Sequence, residues 1–143
     1  TVKDGNVTLK KDRDYTVSYS ANKGIGTAKV TVTGKGSYTG KITKTFKINP
    51  QGQSISAKGD KSGKKIAVTL AKHSSNSGYQ VSYADNSGFK NSKSLWLSGN
   101  SKNKGTIKGL KSKKTYYVKA RDYKTIGKTK VYGKWSAVKK VSI

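Results

Sequence analysis

The sequence predicts an all-β protein built from two β-sandwich modules in tandem. Thr, Val, Tyr, Ser and Gly are abundant and glutamate is absent, a composition that favours strands and tight turns over long helices. Short runs of alternating apolar and polar residues recur along the chain, and turn-rich segments separate them. A length of 143 residues fits one ordinary domain or two small ones.

Alternating runs in the first third of the chain predict three antiparallel strands. They span residues 15–20, 26–34 and 41–48. In the second run Ala28, Val30 and Val32 share one face, and Lys and Thr residues occupy the other. We therefore expect a sheet with one apolar and one polar side.

Pro50 is the only proline and marks the predicted boundary between the modules. It follows the third strand and precedes polar residues and a glycine, as is typical of a short linker. We assign residues 1–49 to the first module, 50–53 to the linker and 54–143 to the second module.

The second module contains seven predicted strands, separated by turn signals. They span residues 54–58, 64–72, 79–84, 93–99, 105–110, 115–123 and 134–143. Seven short strands at this spacing predict a β-sandwich.

Three phrases of this second module, GYQVSYA, TIKGLKSKKTYYVKARDY and VYGKWSAVKKVSI, resemble a fibronectin type III domain of the kind found in Gram-positive surface proteins. In that family a Leu stands six residues before a Tyr whose hydroxyl ties down the loop before the sixth strand. Leu110 and Tyr116 match this spacing, so the resemblance implies that Tyr116 is the tyrosine-corner residue. Leu70 stands where the family usually has a tryptophan.

Residues 1–49 resemble bacterial Ig-like repeats, on the phrases LKKDRDYTVSYSANKGIGTAKVTVTGKGSYTG and KTFKI. The match covers the later part of a repeat, so we expect a partial module, incomplete at its N-terminus. Together the resemblances imply two tandem immunoglobulin-like β-sandwich modules. We interpret the chain as a monomeric fragment of a larger protein.

The charge of the chain predicts anionic partners. Thirty-one basic and six acidic residues give a formal net charge of +25, and such a field attracts polyanions. Teichoic acids and acidic glycans fit best, and a host protein or nucleic acid stays open as a partner. Lysine outnumbers arginine and no nucleic-acid-binding motif is visible, so any DNA binding should be non-specific. No apolar run is long enough for a membrane span.

Signals for catalysis, metals or cofactors are weak. His73 is the only histidine and is predicted to be a solvated loop residue. Cysteine is absent, and no Gly-x-Ser-x-Gly turn supports a serine nucleophile. No segment has the density of oxygen ligands that calcium requires. We therefore expect no enzymatic activity, no metal and no cofactor, and we treat the tripeptide KGD at residues 58–60 as a chance match to integrin-binding sequences.

A candidate ligand face follows from strand alternation. Tyr117, Lys119, Arg121 and Tyr123 should point outward from the strand 115–123, and Trp96 should point outward from the strand 93–99. If these strands share a sheet, the rings and cations could stack on sugars or bases. The alternative is that the rings only cover lysine stems.

Trp135, the second tryptophan, is predicted to be structural and to close the sandwich near the last strand.

The family resemblance implies a non-catalytic accessory region of a secreted or cell-wall-associated bacterial protein. Its role would be spacing or adhesion, with electrostatic attachment to anionic polymers. Two alternatives stay open: a dedicated glycan- or host-protein-binding module, and accessory domains that serve an upstream enzyme.

Overall fold

The computed structural model describes all 143 residues and contains thirteen β-strands and no α-helix. The predicted all-β class is therefore confirmed. The chain divides into two compact units, Thr1–Ile48 and Asn49–Ile143. No helix has the length and hydropathy that a membrane span requires.

The first unit consists of a two-stranded ribbon and a three-stranded antiparallel sheet. Its strands are β1 (Lys3–Asp4), β2 (Val7–Thr8), β3 (Tyr15–Ser20), β4 (Gly26–Gly34) and β5 (Lys41–Ile48). The ribbon pairs β1 with β2, and the sheet has the order β3–β4–β5. Strands β3 to β5 have the bounds that alternation predicted.

One face of the β3–β4–β5 sheet is apolar and largely open to solvent. Val17 lies opposite Val32, and Val32 lies opposite Ile42, so the apolar residues of the three strands share a side. Tyr19 is 59% exposed, Ile42 60% and Phe46 40%, and Ala28 is the only buried apolar residue of the unit. Strand pairing and polar turn contacts therefore account for most of the order in this unit.

Asp14 is the polar anchor of the first unit. Its Oδ1 accepts a hydrogen bond from Arg13 Nε at 2.7 Å, and its Oδ2 accepts from Arg13 Nη2 and from the Lys10 amide, each at 2.8 Å. The Arg13 guanidinium is the main reason why the pKa of Asp14 falls from 3.8 to about 2. The carboxylate thus holds the turn that precedes β3.

The second unit is a sandwich of a three-stranded and a five-stranded sheet. Its strands are β6 (Ile55–Asp60), β7 (Lys65–Leu70), β8 (Gly78–Ala84), β9 (Lys93–Ser98), β10 (Lys104–Ile107), β11 (Thr115–Ile126), β12 (Thr129–Tyr132) and β13 (Lys139–Ser142). The first sheet has the order β10–β7–β6. The second has the order β12–β11–β8–β9, and β13 also pairs with β11.

The core of the second unit lies between these two sheets. It is built from alternate residues of β7, β8 and β11, which are apolar and point inward. The fully buried members are Ile66, Val68, Tyr79, Val81, Val118 and Ala120, each at most 1% exposed. The opposite residues of the same strands form the two outer faces of the sandwich.

The C-terminal part of the second unit differs from the prediction. The run predicted as one strand at 134–143 forms only the short β13, and β12 was not predicted. β11 extends to Ile126 and turns at Gly127, whose φ is +58°, so β12 pairs with its second half and β13 with its first. The sequence KTIGKTKVYGK therefore forms the β11–β12 hairpin.

Candidate functional site

Three of the predicted face residues lie on the outer side of the five-stranded sheet. Tyr117, Lys119 and Arg121 are half-buried and alternate along β11 with buried core residues. Gln80 of β8 lies opposite Arg121 and accepts a hydrogen bond from its Nε at 2.8 Å. The sheet thus fixes the position of the guanidinium.

Arg121 is sandwiched between two aromatic rings. Its guanidinium carbon lies 3.7 Å from the centroid of the Tyr132 ring and 4.3 Å from that of Trp135. Burial lowers the pKa of the guanidinium from its ordinary value, although arginine stays protonated at neutral pH. The Arg121 guanidinium is stabilised by cation–π contacts with the two rings and by the hydrogen bond to Gln80.

Lys119 continues the same stack. Its Nζ lies 3.9 Å from the centroid of the Phe89 ring and 4.9 Å from that of Trp135. We call the set Phe89, Lys119, Arg121, Tyr132 and Trp135 the stacked face. Each cation in it lies over two rings, and partial burial makes the cation–π attraction stronger than at a fully exposed site.

Trp135 lies on this outer face, so the prediction that it closes the sandwich was wrong about its place. Trp135 follows β12 in a segment without regular structure, and Ser136 anchors that segment: the Ser136 amide donates to the Ala120 carbonyl at 2.7 Å. Ser136 Oγ accepts from the Ala120 amide at 3.0 Å. These two hydrogen bonds position the Trp135 indole against Lys119 and Arg121 of β11.

Trp96 and Tyr123 meet beside the stacked face, since Trp96 lies opposite Gln80 and Tyr123 lies opposite Tyr132. Their ring centroids are 5.5 Å apart at an interplanar angle of 74°, and Lys130 Nζ lies within 6 Å of both rings, at 5.7 Å and 5.6 Å. Trp96 is 43% exposed, whereas Tyr123 is 5% exposed. Tyr123 thus lies on the outer side, as predicted, but its ring is buried because Trp96 packs against it edge to face.

The predicted face residues therefore fall into two adjoining groups on the same side of the sheet. Lys119 and Arg121 belong to the stacked face, and Trp96 stands with Tyr123 and Lys130. Alternation alone missed Phe89, Lys130, Tyr132 and Trp135. The one available signal was the repeated alternation of aromatic and basic residues in KTKVYGKW, which does not say which ring meets which cation.

His73 is not solvated, contrary to the prediction. Its side chain is 14% exposed, and its Nδ1 lies 2.7 Å from Oδ2 of Asp122, whose side chain is 1% exposed. Asp122 also accepts from Gln53 Nε2 at 2.6 Å and from Asn76 Nδ2 at 2.9 Å. We call these four residues the Asp122 cluster.

The hydrogen bonds of the Asp122 cluster connect separate segments of the second unit, which indicates a structural role. Gln53, which falls in the predicted linker, also donates to the Ala71 carbonyl at 3.1 Å and accepts from the Ala71 amide at 3.0 Å. No serine hydroxyl hydrogen-bonds to the His73 ring, so the residues do not assemble a nucleophilic triad. The cluster joins the start of the unit, the loop after β7 and strand β11.

The KGD tripeptide forms the last three residues of β6. Asp60 Oδ1 accepts from Ser62 Oγ at 2.8 Å and from the Gly63 amide at 2.9 Å, and its Oδ2 lies 3.3 Å from Lys65 Nζ. All the polar contacts of the Asp60 carboxylate are therefore with residues of the β6–β7 hairpin. Elsewhere, no three His, Cys, Asp or Glu residues come together as metal ligands.

Comparison with known proteins identifies the fold. No protein-family model and no curated protein matches the sequence. A crystal structure of the FN1–FN3 domains of chicken contactin, CNTN1, is similar with a TM-score of 0.55 at 18% identity. The similarity covers 84% of this chain and 43% of the contactin chain.

The chain has a fibronectin type III/Ig-like fold. The predicted β-sandwich class is confirmed, and at this level of identity the likeness concerns the fold alone.

In the type III-like sandwich of the second unit, Leu110 and Tyr116 take core positions, at 6% and 8% exposed. Tyr116 Oη accepts a hydrogen bond from the Lys111 amide at 2.9 Å. The tyrosine thereby ties its hydroxyl to the loop that precedes β11. This is the geometry that a tyrosine corner requires.

Proposed function

We propose that this chain is a non-catalytic accessory region of a secreted or cell-wall-associated bacterial protein. It acts as a spacer and adhesion module that attaches electrostatically to anionic polymers, with teichoic acids and acidic glycans as the main candidates. The type III-like fold supports an accessory role, because such sandwiches present surfaces rather than enclosed reaction sites.

The observation that carries this proposal is the scarcity of ion pairs on a highly basic chain. Of the 31 basic residues, only Lys11, Arg13 and Lys65 form an ion pair with an aspartate. The charge is also uneven, since the second unit holds 21 of the basic residues and only three aspartates. Most lysines are thus free to meet external anions, and the resulting field steers anionic polymers to the surface.

Co-sedimentation with Gram-positive cell walls tests the proposal. We expect the chain to pellet with intact walls and to stay in solution with walls from which teichoic acids have been extracted. Equal pelleting with both preparations that also persists at high salt would place the contact on the glycan–peptide scaffold and would overturn the electrostatic proposal.

A second candidate function is dedicated binding of a glycan or a host protein at Trp96. The ring is 43% exposed, its edge is fixed against Tyr123, and Lys130 stands beside it. An exposed indole on a rigid sheet with one adjacent cation suits an acidic sugar. Trp96→Ala should abolish glycan binding if this candidate holds. Lys140→Ala, on exposed β13, is the matched control.

A third candidate function is that the chain forms accessory domains of an upstream enzyme. A pull-down of catalytic fragments of the parent protein by this chain tests it. The same module would then deliver that enzyme to the anionic polymer, and non-specific binding of nucleic acid would be a side effect of the same charge.

A further inference from the structure

The three-stranded sheet of the second unit presents an outer face that differs from the stacked face. Alternation turns apolar residues of β6, β7 and β10 inward and leaves small polar residues and lysines outside. We call this surface the lysine face. Its residues are Ser56, Lys58, Asp60, Lys65, Ala67, Thr69, Lys104 and Thr106.

The lysine face has no aromatic residue. Its centre carries Ala67, Thr69 and Thr106, which are exposed and too short to cover a lysine stem. A ligand here meets ammonium and hydroxyl groups and finds no ring on which a sugar or a base could stack.

The free cations of this face are Lys58 and Lys104, and Lys61 stands in the turn beside it. All three are exposed, and none forms an ion pair or lies over a ring. Two cations of the other sheet are in a different state, because Lys119 and Arg121 each lie over two rings. Lys58, Lys61 and Lys104 are therefore better placed than these two cations to bind an external anion.

Asp60 is the only carboxylate on this surface, and it does not oppose such binding. Its charge faces Lys65 at 3.3 Å and the donors of its own turn. The hydrogen bond from the Gly63 amide is the main cause that lowers its pKa to about 2. Asp60 and Lys65 thus neutralise each other, and the local excess charge comes from Lys58, Lys61 and Lys104.

The shape of the face suits an extended chain. A shallow depression of about 580 Å³ covers the end of the face near the β6–β7 turn, where Lys58, Lys61, Ala67 and Thr106 border it, and Lys104 lies outside it. Lys58 and Lys104 lie on the two edge strands, β6 and β10. Their partners on β7 are Ala67 and Thr69, which are two residues apart along the strand. Strand spacing and residue rise place the Cα atoms of Lys58 and Lys104 about 12 Å apart on the diagonal. A linear polymer that crosses the sheet can meet both ammonium groups.

We propose that the lysine face is a binding site for a linear polyanion whose charges are phosphates of its own backbone. Lys58, Lys61 and Lys104 would contact successive phosphates, and the hydroxyls of Thr69 and Thr106 would donate hydrogen bonds between them. The lack of rings favours a flexible phosphate chain over a polymer that is recognised through its sugar or base rings. This inference deepens the proposed attachment to anionic polymers and rests on it.

The test compares two triple variants of the full chain. Lys58→Gln/Lys61→Gln/Lys104→Gln removes the free cations of the lysine face. Lys128→Gln/Lys134→Gln/Lys140→Gln is the control, since it removes the same charge from exposed positions on or beside the five-stranded sheet. The probe is inorganic polyphosphate, and affinity is measured at several salt concentrations, after circular dichroism has established that both variants are folded.

The lysine-face variant should lose affinity for polyphosphate by about tenfold or more. A plot of log affinity against log salt concentration should also become shallower by about 2, because each of the three lost phosphate contacts contributes roughly 0.7 to the slope. The control should change both quantities much less. Equal losses in the two variants would mean a diffuse field and would overturn the site while leaving the proposed attachment intact. No binding by the unchanged chain would instead remove the proposed attachment itself.

Heparin serves as the second arm because it carries its sulfates on sugar rings. The proposal predicts that the lysine-face variant loses more affinity for polyphosphate than for heparin. The opposite order would assign the face to a sulfated glycan and would overturn the phosphate assignment.

Discussion

The guanidinium carbon of Arg121 lies 4.3 Å from the centroid of the Trp135 ring, although Trp135 belongs to no strand. The same guanidinium carbon lies 3.7 Å from the centroid of the Tyr132 ring. The contact ties the segment between β12 and β13 to the middle of β11. It makes the aromatic and basic residues of this region part of the fold, whatever else they bind.

Replacing Arg121 by Lys tests this stack. Lysine keeps the charge but has no planar group to lie between two rings, so Arg121→Lys should lower the free energy of unfolding by about 1–2 kcal/mol. Urea denaturation followed by tryptophan fluorescence measures the change. Lys140→Arg, on exposed β13, should leave stability unchanged, and an equally stable Arg121→Lys variant would show that the stack contributes nothing.

The Asp122 cluster predicts a larger loss of stability. Asp122→Ala leaves the buried amide donors of Gln53 and Asn76 without their acceptor, which should cost about 3 kcal/mol. Asp85→Ala, at an exposed position without a hydrogen bond, should change stability by less than about 0.5 kcal/mol. Denaturation curves of the two variants give the comparison, and similar midpoints for both would contradict a structural role of the Asp122 cluster.

The hydroxyl of Tyr116 supplies a third test. Tyr116→Phe removes only the acceptor for the Lys111 amide and should cost about 1 kcal/mol. Tyr117→Phe is the neighbouring control, because the Tyr117 hydroxyl makes no hydrogen bond. Thermal unfolding by calorimetry separates the two, and a Tyr116→Phe variant as stable as this control would rule out a tyrosine corner.

Asp14 makes the first unit sensitive to acid. Its pKa is lowered to about 2 from 3.8, so the folded unit favours the ionised carboxylate. This stabilisation is fully present above the unfolded value and disappears as the pH falls from about 4 towards 2. Asp14→Asn should therefore be less stable than the unchanged chain near neutral pH, and the difference should vanish near pH 2.

NMR signals of the first unit, recorded along a pH series, measure this difference. Asp4→Asn is the control, because Asp4 is exposed and its side chain has no hydrogen-bond partner. A stability difference for Asp14→Asn that stayed constant down to pH 2 would show that the Arg13–Asp14 contact is not electrostatic in origin.

Local alternation was enough to predict the regular parts of the fold. The strands β3, β4 and β5 have the predicted bounds because each alternates over six or more residues between clear turns. β12 escaped prediction because it has only four residues and takes its register from the extended end of β11. A pairing of that kind depends on the path of the chain in space.

The candidate sites depend even more on long-range contacts. His73 and Asp122 are 49 positions apart, and only the packing of the loop after β7 against β11 brings them together. Alternation placed Lys119 and Arg121 correctly on the outer side of β11 but could not show that rings cover them. Tyr123 is buried because Trp96 packs against its ring edge to face. The two residues belong to β11 and β9, which are not adjacent in the sheet, so alternation along either strand could not predict the contact.

The proposed attachment of the chain to anionic polymers depends on its free lysines. Its most direct test is the affinity of the unchanged chain for purified teichoic acid over a series of salt concentrations. We predict that log affinity falls linearly with log salt, with a slope of several, because each lysine–phosphate contact releases a counterion. An affinity that does not change with salt, or equal binding to a neutral polysaccharide, would contradict the claim.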